Sequence, residues 1–133
     1  MTNKDIVKAW YAAIDSKDFA TVKGLMNPDH QFFNPMSPAP LGRDEHIGMM
    51  QMMTGALTGT HNMVLVVSEG DHVATRVRWK GVHTGEFNGV PASGKAVEFT
   101  TNEIFEVKGG KISRDAIELN PMAIMAQIAP AAA

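Results

Sequence analysis

HTGEFNGVPASGK, from His83 to Lys95, is the stretch that decides the fold of this chain, because it joins two strand-like runs. Three glycines are spaced through it, and Pro91 lies between the second and the third. Glycine adopts backbone angles that other residues avoid, and proline fixes one φ angle, so a long connection of this kind can hold a single shape. Long loops in compact domains are typically functional.

Alternating residues around this loop predict an antiparallel meander of four strands. A turn at Gly70–Asp71 connects the first two strands, and a turn at Gly109–Gly110 connects the last two. The predicted strands are His61–Glu69, His72–Thr84, Ala96–Val107 and Lys111–Leu119.

The first half of the chain carries helical patterns instead. Thr2 and Asp5 form a capping-box pattern, and apolar residues follow at helical spacing to Asp15. The next predicted elements are a short helix over Phe19–Met26, a brief strand over His30–Asn34, and a third helix over Arg43–Leu57 that frays at Gly55 and Gly59. Asn120 and Pro121 open a last short helix. Helices followed by a meander are typical of an α+β fold whose sheet curls around the helices.

Composition limits the classes of protein to which the chain can belong. With 133 residues and 44% hydrophobic side chains, the sequence predicts one domain with a real core. A net charge of −2 without a basic run argues against nucleic-acid binding. The absence of cysteine and of HxH or HExxH spacing argues against a metal site. No apolar run is long enough for a membrane span or an export signal, so a cytoplasmic protein is expected.

The loop and the following VEFTTNEIFEVKGGKIS, Val97–Ser113, resemble the signature of the SnoaL-like polyketide cyclases and ester cyclases, within the NTF2-like superfamily. The resemblance implies a cone with a curved antiparallel sheet packed on N-terminal helices around an interior pocket. One domain is expected over residues 1–133, and the alanine-rich tail at 129–133 is expected to fray. The resemblance also implies a homodimer through the outer face of the sheet. Such enzymes bind a small apolar substrate and need no cofactor.

Strand alternation predicts which side chains point into that pocket. Asp115 shares a face with Ser113, Ile117 and Leu119, and Glu103 shares one with apolar residues of its own strand. Apolar surroundings raise the pKa of a carboxyl group, and two adjacent carboxyls share a proton, so the pair is suited to acid and base chemistry. The arginines Arg76, Arg78 and Arg114 are predicted on the opposite face.

SnoaL-like cyclases close a ring by an intramolecular aldol step, which implies a carboxylate base in the pocket. We expect Asp115 to be the base, Glu103 the acid or electrostatic partner, and His83 a polar contact. The remaining predicted substrate contacts are Trp10, His30, Phe32, Asn34, Met53, Trp79, Phe99, Thr101, Phe105 and Ile117.

Several positions depart from the related enzymes. Ala116 stands where the family has a tryptophan, and Asn34 stands where ketosteroid isomerase has its aspartate base. Tyr11 lies one position from the isomerase tyrosine and is therefore expected on a different helix face than Trp10. Outward arginines disfavour the mechanism of limonene epoxide hydrolase. A non-catalytic ligand-binding or dimerisation module remains the alternative, and each candidate side chain could instead have a structural role.

Overall fold

Five strands form one sheet with four helices around it, in a computed structural model that describes residues 1–130. The last three residues of the predicted frayed tail, 131–133, lie outside the described residues. The elements are α1 Asn3–Asp15, α2 Phe19–Gly24, β1 Met26–Phe33, α3 Arg43–Ala56, β2 Leu57–Glu69, β3 His72–His83, β4 Ala96–Lys108, β5 Lys111–Glu118 and α4 Pro121–Ile128.

The sheet has the strand order β1-β5-β4-β3-β2, and its last four strands form the predicted antiparallel meander. Strand β1 joins the sheet beside β5 in parallel orientation. It begins at Met26, earlier than predicted, and Met26 pairs with Ile112. The prediction began the strand later because Asn27 and Pro28 interrupt the strand pattern of the sequence. The α+β fold predicted from the sequence is confirmed.

Helix α1 packs its apolar face on the middle of the sheet. The predicted capping box is present: Asp5 N–H donates to the Thr2 hydroxyl, and Thr2 N–H donates to the Asp5 carboxylate. The buried residues of α1 contact Val73, Val77, Phe105 and Ile112 in the core. The face is wider than predicted, because Trp10 and Tyr11 are both buried.

A bulge in β5 corrects the predicted alternation of that strand. Glu106 pairs with Arg114 while Val107 pairs with Ile112, so Ser113 is an extra residue. Ile112 is therefore fully buried, and Ser113 turns aside to bond with the Asn27 amide. Beyond the bulge the predicted alternation holds, and Asp115 is completely buried.

Two glycines correct the predicted end of the third helix. The helix ends at Ala56, and Gly59 is a residue of β2 that pairs with Gly81 in β3. A Cβ atom on Gly81 would lie 2.2 Å from the Thr58 carbonyl oxygen and 2.5 Å from the Trp79 ring. The glycine pair thus lets the indole of Trp79 lie against the backbone.

We expect Gly81→Ala to destabilise the fold by about 1–3 kcal/mol, because the added methyl group must displace backbone or the Trp79 ring. The measurement is urea unfolding followed by circular dichroism. Gly48→Ala in α3 is the matched control: a Cβ atom there meets nothing within 4 Å, and alanine favours a helix. Equal stabilities for the two variants would contradict this account of the Gly59 and Gly81 pair.

Candidate active site

A cavity of about 150 Å³ lies between helices α1 and α3 and the inner face of the sheet. The side chains that line it are Trp10, Tyr11, Ile14, Phe32, Asn34, Met36, His46, Met49, Met50, Met53, Thr54, Leu57, His61, Trp79, Phe99, Thr101, Glu103, Asp115, Ile117 and Leu119. Most of this lining is apolar, so the few polar groups in it are poorly solvated.

Most of the side chains predicted for the pocket do line this cavity. They are Asp115, Glu103, Trp10, Phe32, Asn34, Met53, Trp79, Phe99, Thr101 and Ile117. Three others do not line it: His30, His83 and Phe105.

His83 is buried at the base of the long loop. Its Nδ1 accepts a hydrogen bond from the Ser93 backbone N–H at 3.2 Å and lies 2.8 Å from the Ser93 hydroxyl. Its own backbone N–H donates to the Lys95 carbonyl. The sequence places His83 correctly on the inner face, but these bonds give it the task of holding the two ends of the loop together.

Phe105 and His30 lie behind the cavity wall. Phe105 is fully buried beneath Trp10 and Tyr11, with both rings packed edge-on at centroid distances of 5.5 and 5.8 Å. His30 is separated from the cavity by His46, whose ring is nearly coplanar with it and lies edge to edge at a centroid distance of 5.2 Å. Strand alternation specifies a face of the sheet, but the helices decide which part of that face remains open.

The two predicted carboxyl groups lie together on the inner face. Glu103 pairs with Ile117 across the β4–β5 ladder, so Asp115 is its diagonal neighbour on that face. Glu103 is 4% exposed and Asp115 is not exposed at all. Burial raises the pKa of both groups, and the charge of Glu103 raises the pKa of Asp115 further.

Tyr11 determines how the pair is hydrogen-bonded. Its hydroxyl donates to Glu103 Oε1 at 2.7 Å and lies 2.9 Å from the Thr75 hydroxyl. A phenol has a single proton, so the Thr75 hydroxyl donates to Tyr11 in turn. Burial beside Glu103 and Asp115 raises the pKa of Tyr11, which keeps this donor protonated.

Hydrogen bonds make the two carboxyl groups unequal. A donor to a carboxylate favours the ionised form, and Glu103 has one in Tyr11. Neither oxygen of Asp115 has a hydrogen-bond partner among the described residues. Asp115 is therefore the carboxyl that costs more to ionise, because it is buried without a donor.

Three further polar atoms in the lining residues are buried without a partner in the described chain: Trp10 Nε1, Asn34 Nδ2 and Thr101 Oγ1. The first two are donors only. Buried donors are normally satisfied, so a cavity that leaves several open is suited to a ligand that carries oxygen atoms.

His46 is a cavity residue to which the sequence assigned no role. Its ring stacks on Phe32 with centroids 3.6 Å apart, and its Nε2 lies 4.0 Å from Asp115 Oδ2. Burial, aided by the nearby His30, lowers the pKa of His46 to about 2, so the ring is neutral. The helical spacing of His46, Met50 and Met53 on one face of α3 was a signal that could have found it.

Tyr11 and His61 are the other polar residues that sequence reasoning missed. Tyr11 was expected on a different helix face than Trp10, but α1 buries more than one row of side chains and both residues line the cavity. His61 lies in β2, and its backbone N–H donates to the Asp15 carboxylate at 2.9 Å. Its ring nitrogen Nδ1 lies 2.5 Å from the other oxygen of the same carboxylate. Both contacts span the helix and the sheet, so local sequence does not reveal them.

Within residues 1–130 no three histidine, cysteine or acidic side chains are grouped so that they could hold a metal ion. Over the same residues no helix combines the length and the apolar character that crossing a membrane requires.

Comparison with known proteins identifies the class to which this fold and cavity belong. The model of the SnoaL-like polyketide cyclases matches residues 4–128. The chain therefore belongs to the SnoaL-like polyketide cyclase family, with the NTF2-like cone that the resemblance implied.

Solved structures agree with this placement. IdmH from Streptomyces antibioticus, itself a candidate polyketide cyclase, is 27% identical with a TM-score of 0.87, over 98% of this chain and 100% of that chain. A candidate polyketide cyclase from Pseudomonas putida is 22% identical with a TM-score of 0.86, over 97% and 99% of the two chains.

An epoxide hydrolase of the LEH-like type from M. tuberculosis shares the fold, at 17% identity and a TM-score of 0.75 over 95% of this chain and 88% of that chain. Among the curated proteins no match is found.

Because the pKa values of Asp115 and Glu103 are raised in the folded state, the unfolded chain releases these protons first as the pH rises. We expect the free energy of unfolding to fall with pH from the ordinary carboxyl range up to the raised pKa values. Asp115→Asn should remove part of this loss, so the variant gains stability relative to the natural protein as the pH increases.

Thermal unfolding at several pH values measures this difference. Asp29→Asn, which replaces an exposed carboxyl group, is the matched control. An Asp115→Asn variant whose stability runs parallel to that of the natural protein would show that Asp115 is ionised without cost.

Proposed function

We propose that this protein catalyses cofactor-independent acid and base chemistry on a small apolar carbonyl compound or ester, as a polyketide cyclase-type enzyme. The observation that supports this most directly is the burial of Glu103 and Asp115 as neighbours in an apolar cavity, which raises the pKa of both carboxyl groups. An ionised and a protonated carboxyl side by side supply a base and an acid at the same pH.

The hydrogen bonds favour Glu103 as the base and Asp115 as the acid. Glu103 removes the proton next to the substrate carbonyl, and Asp115 donates to the oxygen on which negative charge develops. These roles are the reverse of those predicted from the sequence, because the bond from Tyr11 to Glu103 cannot be read from strand alternation.

The open donors Trp10 Nε1 and Asn34 Nδ2 support the same chemistry. Fixed donors in a cavity with little water stabilise an enolate oxygen more strongly than water does. His83 has no direct part in this step, because its ring bonds to Ser93 outside the cavity lining.

The cavity also supports the size and character of the substrate. Its volume of about 150 Å³ is comparable to one that admits a single aromatic ring. The rings of Trp79 and Phe99 are stacked in the cavity wall with their centroids 5.1 Å apart. Methionines of α3 also line the cavity, and their flexible side chains can adjust to the shape of a ligand. A compact, mainly apolar carbonyl compound fits this surface.

Exchange of the α-hydrogens of cyclohexanone in deuterium oxide, followed by NMR, tests the proposal. We expect the protein to accelerate exchange and Glu103→Gln to slow it by roughly 10²- to 10⁴-fold, the usual contribution of a general base. Glu98→Gln is the matched control, because Glu98 lies on the same strand but is exposed. Equal exchange rates for the two variants would refute Glu103 as the base.

The alternative is a non-catalytic module that binds a small apolar ligand, which the methionine-rich lining would also serve. A thermal-shift screen separates the two functions. Any compound that stabilises the protein is incubated with it, and chemical conversion of that compound supports the enzyme, whereas its complete recovery supports the binding module.

We also propose a homodimer through the outer face of the sheet. One apolar row crosses all five strands there, since Val67 pairs with Ala74, Ala74 with Ile104, Ile104 with Ala116, and Ala116 with Phe33. Ile104 is 56% exposed in the single chain. A continuous apolar surface of this kind suits a two-fold contact between identical sheets.

We expect Ile104→Lys to convert the dimer to a monomer, because it places a charge in the middle of the apolar row. Light scattering at micromolar concentration gives the mass. Val64→Lys is the matched control, since Val64 is also exposed but lies at the register shift of the edge strand β2 and outside the row. A monomeric natural protein would contradict the dimer.

A further inference from the structure

A chain of hydrogen bonds fixes which nitrogen of His46 carries its proton. His30 Nδ1 lies 3.2 Å from the Ile112 carbonyl oxygen, and His30 Nε2 lies 3.0 Å from His46 Nδ1. Both rings are buried, with exposures of 1% and 3%. Burial lowers the pKa of each ring, so both are neutral.

A carbonyl oxygen can only accept, so His30 carries its proton on Nδ1 and its Nε2 is an acceptor. His46 Nδ1 must then be the donor to His30 Nε2. A neutral imidazole has one proton, and that leaves His46 Nε2 with a free lone pair. This chain of hydrogen bonds therefore makes His46 Nε2, the nitrogen that faces Asp115, a hydrogen-bond acceptor.

The free lone pair is not used inside the described chain. His46 Nε2 and Asp115 Oδ2 are 4.0 Å apart, which is too long for a hydrogen bond between them. If a ligand oxygen lies about 2.8 Å from each of these atoms, the angle at that oxygen between His46 Nε2 and Asp115 Oδ2 is roughly 90°, which is acceptable for a hydroxyl group. The gap is thus suited to one ligand oxygen.

The two sides of this gap differ in kind. The protonated Asp115 can donate to a ligand oxygen, whereas His46 Nε2 can only accept. Trp10 Nε1 and Asn34 Nδ2, two of the three other unpartnered atoms in the lining residues, are donors and suit a carbonyl, and the third, Thr101 Oγ1, can donate or accept. Among the oxygen atoms of a ligand, that of a hydroxyl group satisfies both sides of the gap between Asp115 and His46, whereas a carbonyl or ether oxygen has no proton to donate to His46.

We propose that His46 and Asp115 form a hydroxyl-binding site in the cavity, with His46 Nε2 as the acceptor and Asp115 as the donor. This deepens the proposed function and depends on it for the catalytic step, although the binding of a hydroxyl group does not. It adds His46 as a residue that positions a hydroxyl group of the substrate or product.

The intramolecular aldol step that the SnoaL-like resemblance implies would place a hydroxyl group in this gap, and it balances without a cofactor. Glu103 takes the proton from carbon, and the resulting carbanion forms a carbon–carbon bond to the second carbonyl carbon. The electron pair of that C=O bond moves to oxygen, which takes the proton of Asp115 and becomes a hydroxyl group that donates to His46 Nε2. Transfer of the new proton from Glu103 to Asp115 restores the pair, and the product is an isomer of the substrate.

Nitrogen-15 NMR of the natural protein tests the arrangement directly. We expect both His30 and His46 to be protonated at Nδ1 and bare at Nε2, with the signals assigned from His30→Phe and His46→Phe. A proton on His46 Nε2 would overturn the proposal, because the site would then have no acceptor.

A matched pair of ligands tests the site by binding. Benzyl alcohol and ethylbenzene have the same shape and differ by the hydroxyl group. We expect the ratio of their dissociation constants to favour the alcohol by roughly three- to tenfold more in the natural protein than in His46→Phe, which keeps a ring against Phe32. A ratio that His46→Phe leaves unchanged would mean that His46 only fills space.

His30→Phe provides the second variant. It keeps His46 but removes the acceptor for its Nδ1–H, so the proton can move to Nε2 and the preference for the alcohol should fall as well. An unchanged preference in this variant would overturn the tautomer argument.

The outcomes also separate this site from the proposed function. Hydroxyl preference that depends on His46, without α-hydrogen exchange, would retain the binding site and remove the enzyme. Exchange that depends on Glu103, without hydroxyl preference, would retain the enzyme and remove the site.

Discussion

The burial of two carboxyl groups on one face of the sheet is the constraint on which the rest of this structure depends. Glu103 and Asp115 sit among aromatic and aliphatic side chains, where charge is poorly solvated. Within residues 1–130 the Tyr11 hydroxyl is the one side-chain donor with a hydrogen bond to the pair. The same hydroxyl therefore binds helix α1 to the sheet and favours ionisation of Glu103 over Asp115.

That link joins stability and chemistry in one set of contacts. Tyr11 is both a core residue, packed against Trp10 and Phe105, and the donor that favours the ionised form of Glu103. His46 similarly packs on Phe32 while its ring nitrogen faces Asp115. Side chains with two tasks of this kind hold a site rigid, because their rotamers are fixed by packing as well as by hydrogen bonds.

Sequence reasoning recovered the elements and the inward carboxyls because both depend on local periodicity. A period of two assigns faces to β3, β4 and the end of β5, which is enough to place Glu103 and Asp115 inside. The SnoaL-like signature around the loop supplied the cone. The partners of the carboxyls depend instead on how α1 and α3 lie across the sheet, so Tyr11 and His46 could not be assigned from alternation. His83 and Phe105 share the inner face but lie where the loop and α1 cover it.

The extra residue at Ser113 changes which side chains of β5 face the interior. Ile112 enters the core below α1, and Asp115 enters the cavity, although three positions separate them and strict alternation would send one of them outward. Loss of Ser113 alone would make the strand regular and leave both side chains inside. Loss of one residue between Asp115 and Ile117 would instead turn the rest of the strand over. Length variation among relatives should therefore be tolerated at the first point and selected against at the second.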